Sequence, residues 1–250
     1  MNLSITQLSN ILKLASASPA EAKTLIKLLA VDVTKFLGDE KYLIQTPTKE
    51  ITATSQKPLQ EGLKYWVELG TSQHEIPVIS KFLQQQKMLQ EFQNLPLKFD
   101  IKELHELLNS KKTIEDFKTT LLNHLCNATS KEDFTQFSNL LLSLMQNTLT
   151  IPLYHQQFFG LFQMKKRYNK TSKKSQLDFY AALIKLGPIS GSVMFVEDEI
   201  LIDLDVAFMT TKLFLEENLK DIRYKITLHV RENIEPLYRF QTNSILDINA

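Results

Sequence analysis

The sequence predicts an α+β fold, and three features of its patterning carry that prediction. Apolar residues recur at helical spacing near the N-terminus and again across residues 75–147. Short runs rich in Val, Ile, Tyr and Thr lie between these two regions. The last third alternates apolar and polar residues at period two. The expected order is N-terminal helices and a small β-barrel-like module, a helical connector, then an antiparallel sheet with one covering helix. At 250 residues and 43% apolar, the chain can bury a sizeable core as one or two domains.

Residues 1–30 read as helical. Leu8, Ile11, Leu12 and Ala15 share one face of a helix from Leu3 to Ala15. Ser18-Pro19-Ala20-Glu21 then matches a capping box, opening a second helix that carries Leu25, Ile26, Leu28 and Leu29. Residues 31–72 change period. Val31, Val33 and Phe36 precede a turn at Gly38-Asp39, and Tyr42–Gln45 and Glu50–Thr54 are β-like. Pro58–Gly62 is a second turn, and Lys64–Leu69 brings Tyr65, Trp66 and Val67. Such a unit is marginal alone, so neighbouring helices should cover its open face.

Residues 73–148 read as a helical connector. Val78, Phe82, Leu89 and Phe92 form one stripe, and Asp100-Ile101-Lys102-Glu103 is a capping box. Thr113 and Ser130 are further N-cap candidates, with Asp116 and Asp133 in the following turns. Residues 149–231 read as a sheet. Thr150–Leu153 opens it, and Phe158–Met164 alternates weakly. Leu177, Phe179, Ala181 and Leu183 alternate cleanly, as do Ile189 to Phe195 and Ile200 to Val206. A helix with Leu215, Leu219 and Ile222 leads to a last strand with Ile226, Leu228 and Val230 inside. Residues 232–250 carry weak signals and read as a mobile tail.

Composition excludes several classes. The 29 basic and 28 acidic residues leave no general polyanion-binding excess. No stretch approaches the roughly 20 consecutive apolar residues of a membrane helix, and residues 1–30 lack the basic start of a secretory signal. The lone Cys126 makes no internal disulfide and falls on an apolar stripe, where it reads as core. His74, His105, His124, His155 and His229 are dispersed and fit no metal spacing. Asp203 and Asp205 share one strand face about 7 Å apart. That spacing suits an acid–base pair, but it equally suits the wet face of an amphipathic strand, the reading preferred here. No nucleophile elbow, phosphate loop or CxxC is present. No catalytic residue, metal or cofactor is therefore expected.

One basic run, Lys165-Lys166-Arg167-Tyr168-Asn169-Lys170-Thr171-Ser172-Lys173-Lys174, reads as an exposed hairpin loop. An alternative joins Lys165, Lys166 and Arg167 to an OB-like module in which Tyr42, Tyr65 and Trp66 stack single-stranded bases. Against it, neighbours on a strand face opposite sides, which puts Tyr65 or Trp66 in the core.

Three stretches in order carry a family pattern. The first runs from Val33-Thr34-Lys35-Phe36-Leu37-Gly38 through Tyr42-Leu43-Ile44, Glu50–Ser55 and Pro58–Gly62 to Tyr65-Trp66-Val67. The second is Leu149-Thr150-Ile151-Pro152-Leu153. The third runs from Leu177-Asp178-Phe179 through Leu186-Gly187-Pro188-Ile189, Ile200–Leu204 and Leu213–Leu219 to Ile226–Val230. Together they resemble flagellar hook-length control proteins. The resemblance implies a non-enzymatic protein of the bacterial cytoplasm, itself exported through the flagellar channel. It also implies that the C-terminal domain meets the cytoplasmic part of the flagellar export-gate switch protein. That contact would switch the exported cargo from hook-type to filament-type subunits. Leu186, Gly187, Pro188 and Ile189 are the expected contact, offered as a turn or strand edge. On this reading there is no small-molecule substrate and no membrane insertion. Met1–Ala15 is then either an export signal or a helix docked on the β-module.

Overall fold

The computed structural model describes residues 28–47, 49–71, 77–155, 158–169, 174–196 and 199–240. The first expected helix lies outside these residues. Of the second, only Leu28 and Leu29 are described, and they belong to a strand.

Strands β1 (Leu28–Gly38), β2 (Lys41–Gln45), β3 (Glu50–Thr54), β4 (Lys64–Thr71) and β5 (Pro77–Gln84) form a 5-stranded antiparallel sheet in the order β3-β2-β1-β4-β5. Gly38 (φ 89°), Asp39 (φ 48°) and Glu40 (φ 60°) make the predicted β1–β2 turn in left-handed conformations that favour glycine and short polar side chains. Val31, Val33, Tyr42, Ile44, Tyr65 and Val67 form the module's own core. The loop after β3 is tied down over it, because the Tyr42 and Tyr65 hydroxyls accept from the backbone N–H groups of Leu59 (3.2 Å) and Gln60 (2.9 Å).

One expectation changes here. The module spans 28–84 rather than 31–72, because Pro77–Gln84 pairs with the free side of β4 instead of opening the helical connector. Val78 and Phe82 are an even number of residues apart, so their spacing suits a strand as well as a helix. The pairing order places β3 and β5 at the two ends of the sheet, with no pairing between them among the described residues.

Four helices follow: α1 (Lys87–Glu91), α2 (Ile101–Asn109), α3 (Thr113–Cys126) and α4 (Lys131–Met145). The capping box at Asp100 is complete, with Glu103 N–H donating to Asp100 at 2.7 Å and Asp100 N–H to Glu103 at 2.9 Å. Ser130 caps α4 through the N–H of Asp133 at 3.0 Å. Thr113 is not a cap. It is the first residue of α3, and its hydroxyl turns back to the carbonyl of Ser110. Nor are these helices a connector. Leu104, Phe117, Leu121, Phe137 and Leu140 share one core with Ile151, Leu161, Phe162 and Phe179 of the C-terminal sheet. Cys126, expected in that core, is exposed at the end of α3.

The C-terminal sheet contains β6 (Leu149–His155), β7 (Phe158–Asn169), β8 (Lys174–Leu183), β9 (Gly187–Val196), β10 (Glu199–Val206) and β11 (Lys225–Val230), in sequential order. Helix α5 (Met209–Asn218) joins the last two strands. The sheet is antiparallel up to β10, but β11 lies parallel to β10, which corrects the all-antiparallel expectation. The reason is α5 itself: a helical crossover brings the chain back to the end from which β10 set out.

Residues 232–240 are docked rather than a mobile tail. Ile234 and Tyr238 are buried, and Phe240 meets Phe92 edge-on with ring centroids 4.9 Å apart. The anchor is Gln163, a polar side chain inside the apolar run of β7. Its amide nitrogen donates to the Tyr238 carbonyl (3.0 Å), and its amide oxygen accepts from the Tyr238 N–H (3.2 Å). Both groups are buried, so losing the amide strands a donor and an acceptor. Gln163→Leu, which keeps the volume, should cost about 2–3 kcal/mol in urea unfolding. It should also speed amide exchange at Tyr238 while leaving the amides of β9 protected.

Candidate functional site

Side chains alternate along β4, and this sorts the sheet into two faces. Tyr65 and Val67 enter the module's own core, whereas Trp66 belongs to the large core of the C-terminal body. Register extends the Trp66 face across the neighbouring strands. Leu28 is paired with Glu68 and Glu68 with Lys81; Ala30 is paired with Trp66 and Trp66 with Leu83. This face lies on the junction between β10 and α5. Lys81 Nζ donates to the carbonyl of Ala207 at 2.7 Å and sits 5.3 Å over the Phe208 ring. A Glu68 carboxylate oxygen accepts from the N–H of Thr210 at 3.3 Å. Helix α5 has no side-chain cap of its own, since its N-cap residue is Phe208. Glu68 therefore acts as a cap from the other sheet, placing an anion at the positive end of the helix.

The expected contact residues lie beneath this seam. Leu186 and Ile189 are 1% and 5% exposed, and Gly187 and Pro188 are buried with them. The Thr211 hydroxyl donates to the Leu186 carbonyl at 2.7 Å. Gly187 has φ 74°, and a Cβ there would fall 2.7 Å from the Phe208 ring and 3.5 Å from Leu28. The turn is where the sequence places it, but it offers no free surface, which corrects the expectation of an accessible contact.

The base-stacking arrangement is also corrected. Trp66 is 1% exposed, and Tyr42 and Tyr65 are each 5% exposed, so no ring face is open to a base. Lys165 is half-buried, and Lys166 and Arg167 are exposed along β7 itself rather than in a loop. Arg167 pairs with the largely buried Asp178. Residues 170–173 of the run lie outside the described residues, and Lys174, its last, opens β8.

Register also assembles one polar face of the C-terminal sheet. Lys165, Asp178, Ser192, Asp203 and Thr227 form one cross-strand row, and Gln163, Tyr180, Ser190, Asp205 and His229 form the next. Asp203 and Asp205 do share a face, as predicted, and each lies against a basic group of the last strand or its end. Asp203 is 3.2 Å from His229, and Asp205 is 2.7 Å from Arg231. These carboxylate oxygens do not meet hydrogen-bond alignment, so the Asp205–Arg231 contact is a through-space charge pair, and the Asp203–His229 contact becomes one only when the imidazole is protonated. Tyr180 is fully buried with an unpartnered hydroxyl, and burial pushes its ionisation above the usual 10.0. Among the described residues, no three His, Cys, Asp or Glu side chains converge as a metal site, and no helix is long and apolar enough to cross a membrane.

Two hollows mark the described surface. One, of about 40 Å³, is apolar, lined by Phe99, Leu153, Phe159 and Leu183, with Lys185 3.8 Å over the Phe158 ring at its mouth. The other, of about 530 Å³, opens between the end of β5, α1 and residues 232–240. Four of its five charged groups are joined as Lys87–Glu91 and Glu235–Arg239 pairs, and Glu232 is the fifth.

Sequence reasoning missed Glu68, Lys81, Phe208 and Gln163. Only Gln163 leaves a trace, as a lone polar residue in Phe-Gly-Leu-Phe-Gln-Met.

By fold this is a two-sheet α+β protein whose N-terminal sheet is clamped onto the C-terminal one. No family model, curated protein or solved structure matches the chain.

The Asp203 and Asp205 pairs are solvent-facing, so Asp203→Asn and Asp205→Asn should each lower stability by no more than about 1 kcal/mol in chemical denaturation. Tyr180→Phe removes a hydroxyl that makes no bond, so at pH 7 it should leave stability unchanged or raise it by about 1 kcal/mol. The alkaline sign follows from burial. A phenol whose ionisation is raised by folding keeps its contribution below pH 10.0 and loses it as pH climbs higher. The loss of stability above pH 10.0, followed by urea midpoint, should accordingly be shallower in Tyr180→Phe.

Proposed function

We propose that this protein acts by protein–protein contact, as a hook-length-control-like regulator of substrate switching in flagellar type III export. On this reading it works in the bacterial cytoplasm before its own passage into the export channel, and its partner is the cytoplasmic domain of the export-gate switch protein. The observation that carries the reading is the layout of the resemblance on the fold. The first stretch falls on β1 to β4, the second on β6, and the third on β8 to β11 with α5. Each stretch thus coincides with consecutive elements of one sheet. The C-terminal sheet also offers binding features of its own. β11 is an edge strand whose Lys225, Thr227 and His229 are exposed, which suits backbone pairing with a partner. Its polar face carries paired charges of both signs, which suits orientation of a protein partner more than attraction of a polyanion.

The test is direct. The full chain, titrated onto the immobilised cytoplasmic domain of the switch protein from the same bacterium, should bind with a micromolar dissociation constant. Absence of binding at tens of micromolar would sink the reading. Oligonucleotide titration should leave the emission of the lone, buried Trp66 unchanged.

A further inference from the structure

The apolar hollow at the end of the β6–β7 hairpin is built around a glycine. Gly160 pairs with Leu153 on one side and Leu183 on the other, and the three share one face of the sheet. A Cβ at Gly160 would fall 2.8 Å from a Leu183 methyl and 3.9 Å from the Leu153 Cβ, so the row has room only because its middle side chain is missing. The register runs through Gly160 without a shift, so the glycine does not serve a bulge. The other use of a glycine inside a strand is to let a ligand or another chain come close. Phe99 closes one flank: its N–H donates to the Pro152 carbonyl at 3.0 Å, and its carbonyl accepts from the Tyr154 N–H at 2.9 Å. The β8–β9 turn closes the other flank with Ile184 and Lys185. Between them lies about 40 Å³, open to solvent beside Tyr154, which is 43% exposed. That volume takes roughly three water-sized groups, the branched end of a leucine side chain.

The rim carries charge of one sign. Lys185 Nζ lies 3.8 Å over the Phe158 ring, and on the Phe99 flank Lys98 Nζ lies 5.5 Å over the Tyr154 ring. Both lysines are half-buried, and neither joins an ion pair among the described residues. Burial lowers the ionisation of Lys185, with no carboxylate nearby to offset it. The wall of the hollow includes no Asp or Glu, and Asp100, next to Phe99, is turned into the capping box of α2. An apolar socket between two unpaired cations is complementary to an aliphatic side chain with carboxylates on both sides. We propose that this hollow is a docking socket for a protein partner, taking one leucine-sized side chain from a segment with acidic residues to either side of it. The side chain fills the space that Gly160 leaves, and the flanking carboxylates pair with Lys98 and Lys185. The inference rests on the proposed function only for the occupant being a polypeptide.

The probe is the peptide Gly-Glu-Glu-Leu-Glu-Glu-Gly, acetylated and amidated at its ends. It is titrated onto the full chain while NMR follows the methyl resonances of Leu153, Leu183 and Ile184. These should shift and saturate with a dissociation constant of about 1 mM or tighter. Serine in place of the peptide's leucine should weaken binding roughly tenfold or more. Lys98→Gln/Lys185→Gln should weaken it roughly threefold or more, because two charge pairs are lost. Gly160→Ala drives the Leu183 methyl into the hollow and should weaken binding as much as the serine peptide does. The lysine variant changes only the rim, so it decides the matter even where Gly160→Ala does not fold. No shift at these methyls by about 10 mM peptide would overturn the inference. Equal binding of the serine peptide, or a lysine variant that binds like the wild type, would do the same. Isocaproate binding as tightly as the peptide would make the hollow a site for a small acid and overturn the polypeptide occupant. Peptide binding with no response to the switch-protein domain would uphold the socket and overturn the export reading. The reverse pair of results would overturn the socket alone.

Discussion

Alternation along β4 is the constraint on which the rest of the structure depends. A strand sends successive side chains to opposite faces, so Tyr65 and Val67 cannot share a core with Trp66. Both faces carry large apolar groups, and both must be covered. One is covered by the module's own β2 and the loop that Tyr42 and Tyr65 hold down. For the other, the described residues of the sheet have nothing of their own to offer, and it takes the β10–α5 corner instead. The position of the module on the molecule follows from that shortage.

The same corner shows why polar groups matter more here than their number suggests. A parallel connection from β10 to β11 needs a helical crossover, and the crossover starts at a helix end with unpaired N–H groups and no side-chain cap. Glu68 and Lys81, paired across β4 and β5, meet that end with an acceptor and a cation. The lysine also lies over Phe208, so the charge anchors to an apolar surface and not only to a carbonyl. Gln163 plays the matching part at the opposite end of the sheet, where its amide mimics a strand edge and binds Tyr238 through both backbone groups. In each case a segment distant in sequence is held by one side chain that supplies hydrogen bonds an apolar contact could not.

Much of the local structure was legible in the residues. Asp100 and Ser130 cap the helices they were expected to cap, because a capping signal is complete within four residues. Gly38-Asp39 turns, and the alternating runs of the last third are strands, since both patterns are short-range. One failure is local, Thr113 starting its helix rather than capping it; the larger ones are long-range. Val78 and Phe82 suit helix or strand equally, and only the vacant side of β4 decides between them. Residues 232–240 carry no periodicity, yet they dock because Gln163, 75 residues earlier than Tyr238, receives them. The orientation of β11 depends on the path of α5. The candidate contact was half legible: Leu-Gly-Pro-Ile announced a turn, and φ 74° at Gly187 is that turn. Turn chemistry says nothing of what lies on top, and here Phe208 and Leu28 do.

That last point bears on how the molecule is to be understood. A turn built from leucine, glycine, proline and isoleucine is an unusual choice for a solvated loop, which favours polar residues. Its composition makes sense only if the turn is buried, and burial needs a second surface. Within the C-terminal body, Phe208 and Thr211 reach it, but Leu28 comes from the module, along with the Trp66 face beside it. An apolar turn is thus matched to an apolar strand face that is itself surplus to the module's own core. Two surfaces that each lack a partner in their own sheet satisfy one another, while a buried indole N–H and a buried threonine hydroxyl remain unpaired between them. The joint is thus packed like the cores it separates, the C-terminal one of which also keeps an unpaired buried hydroxyl at Tyr180.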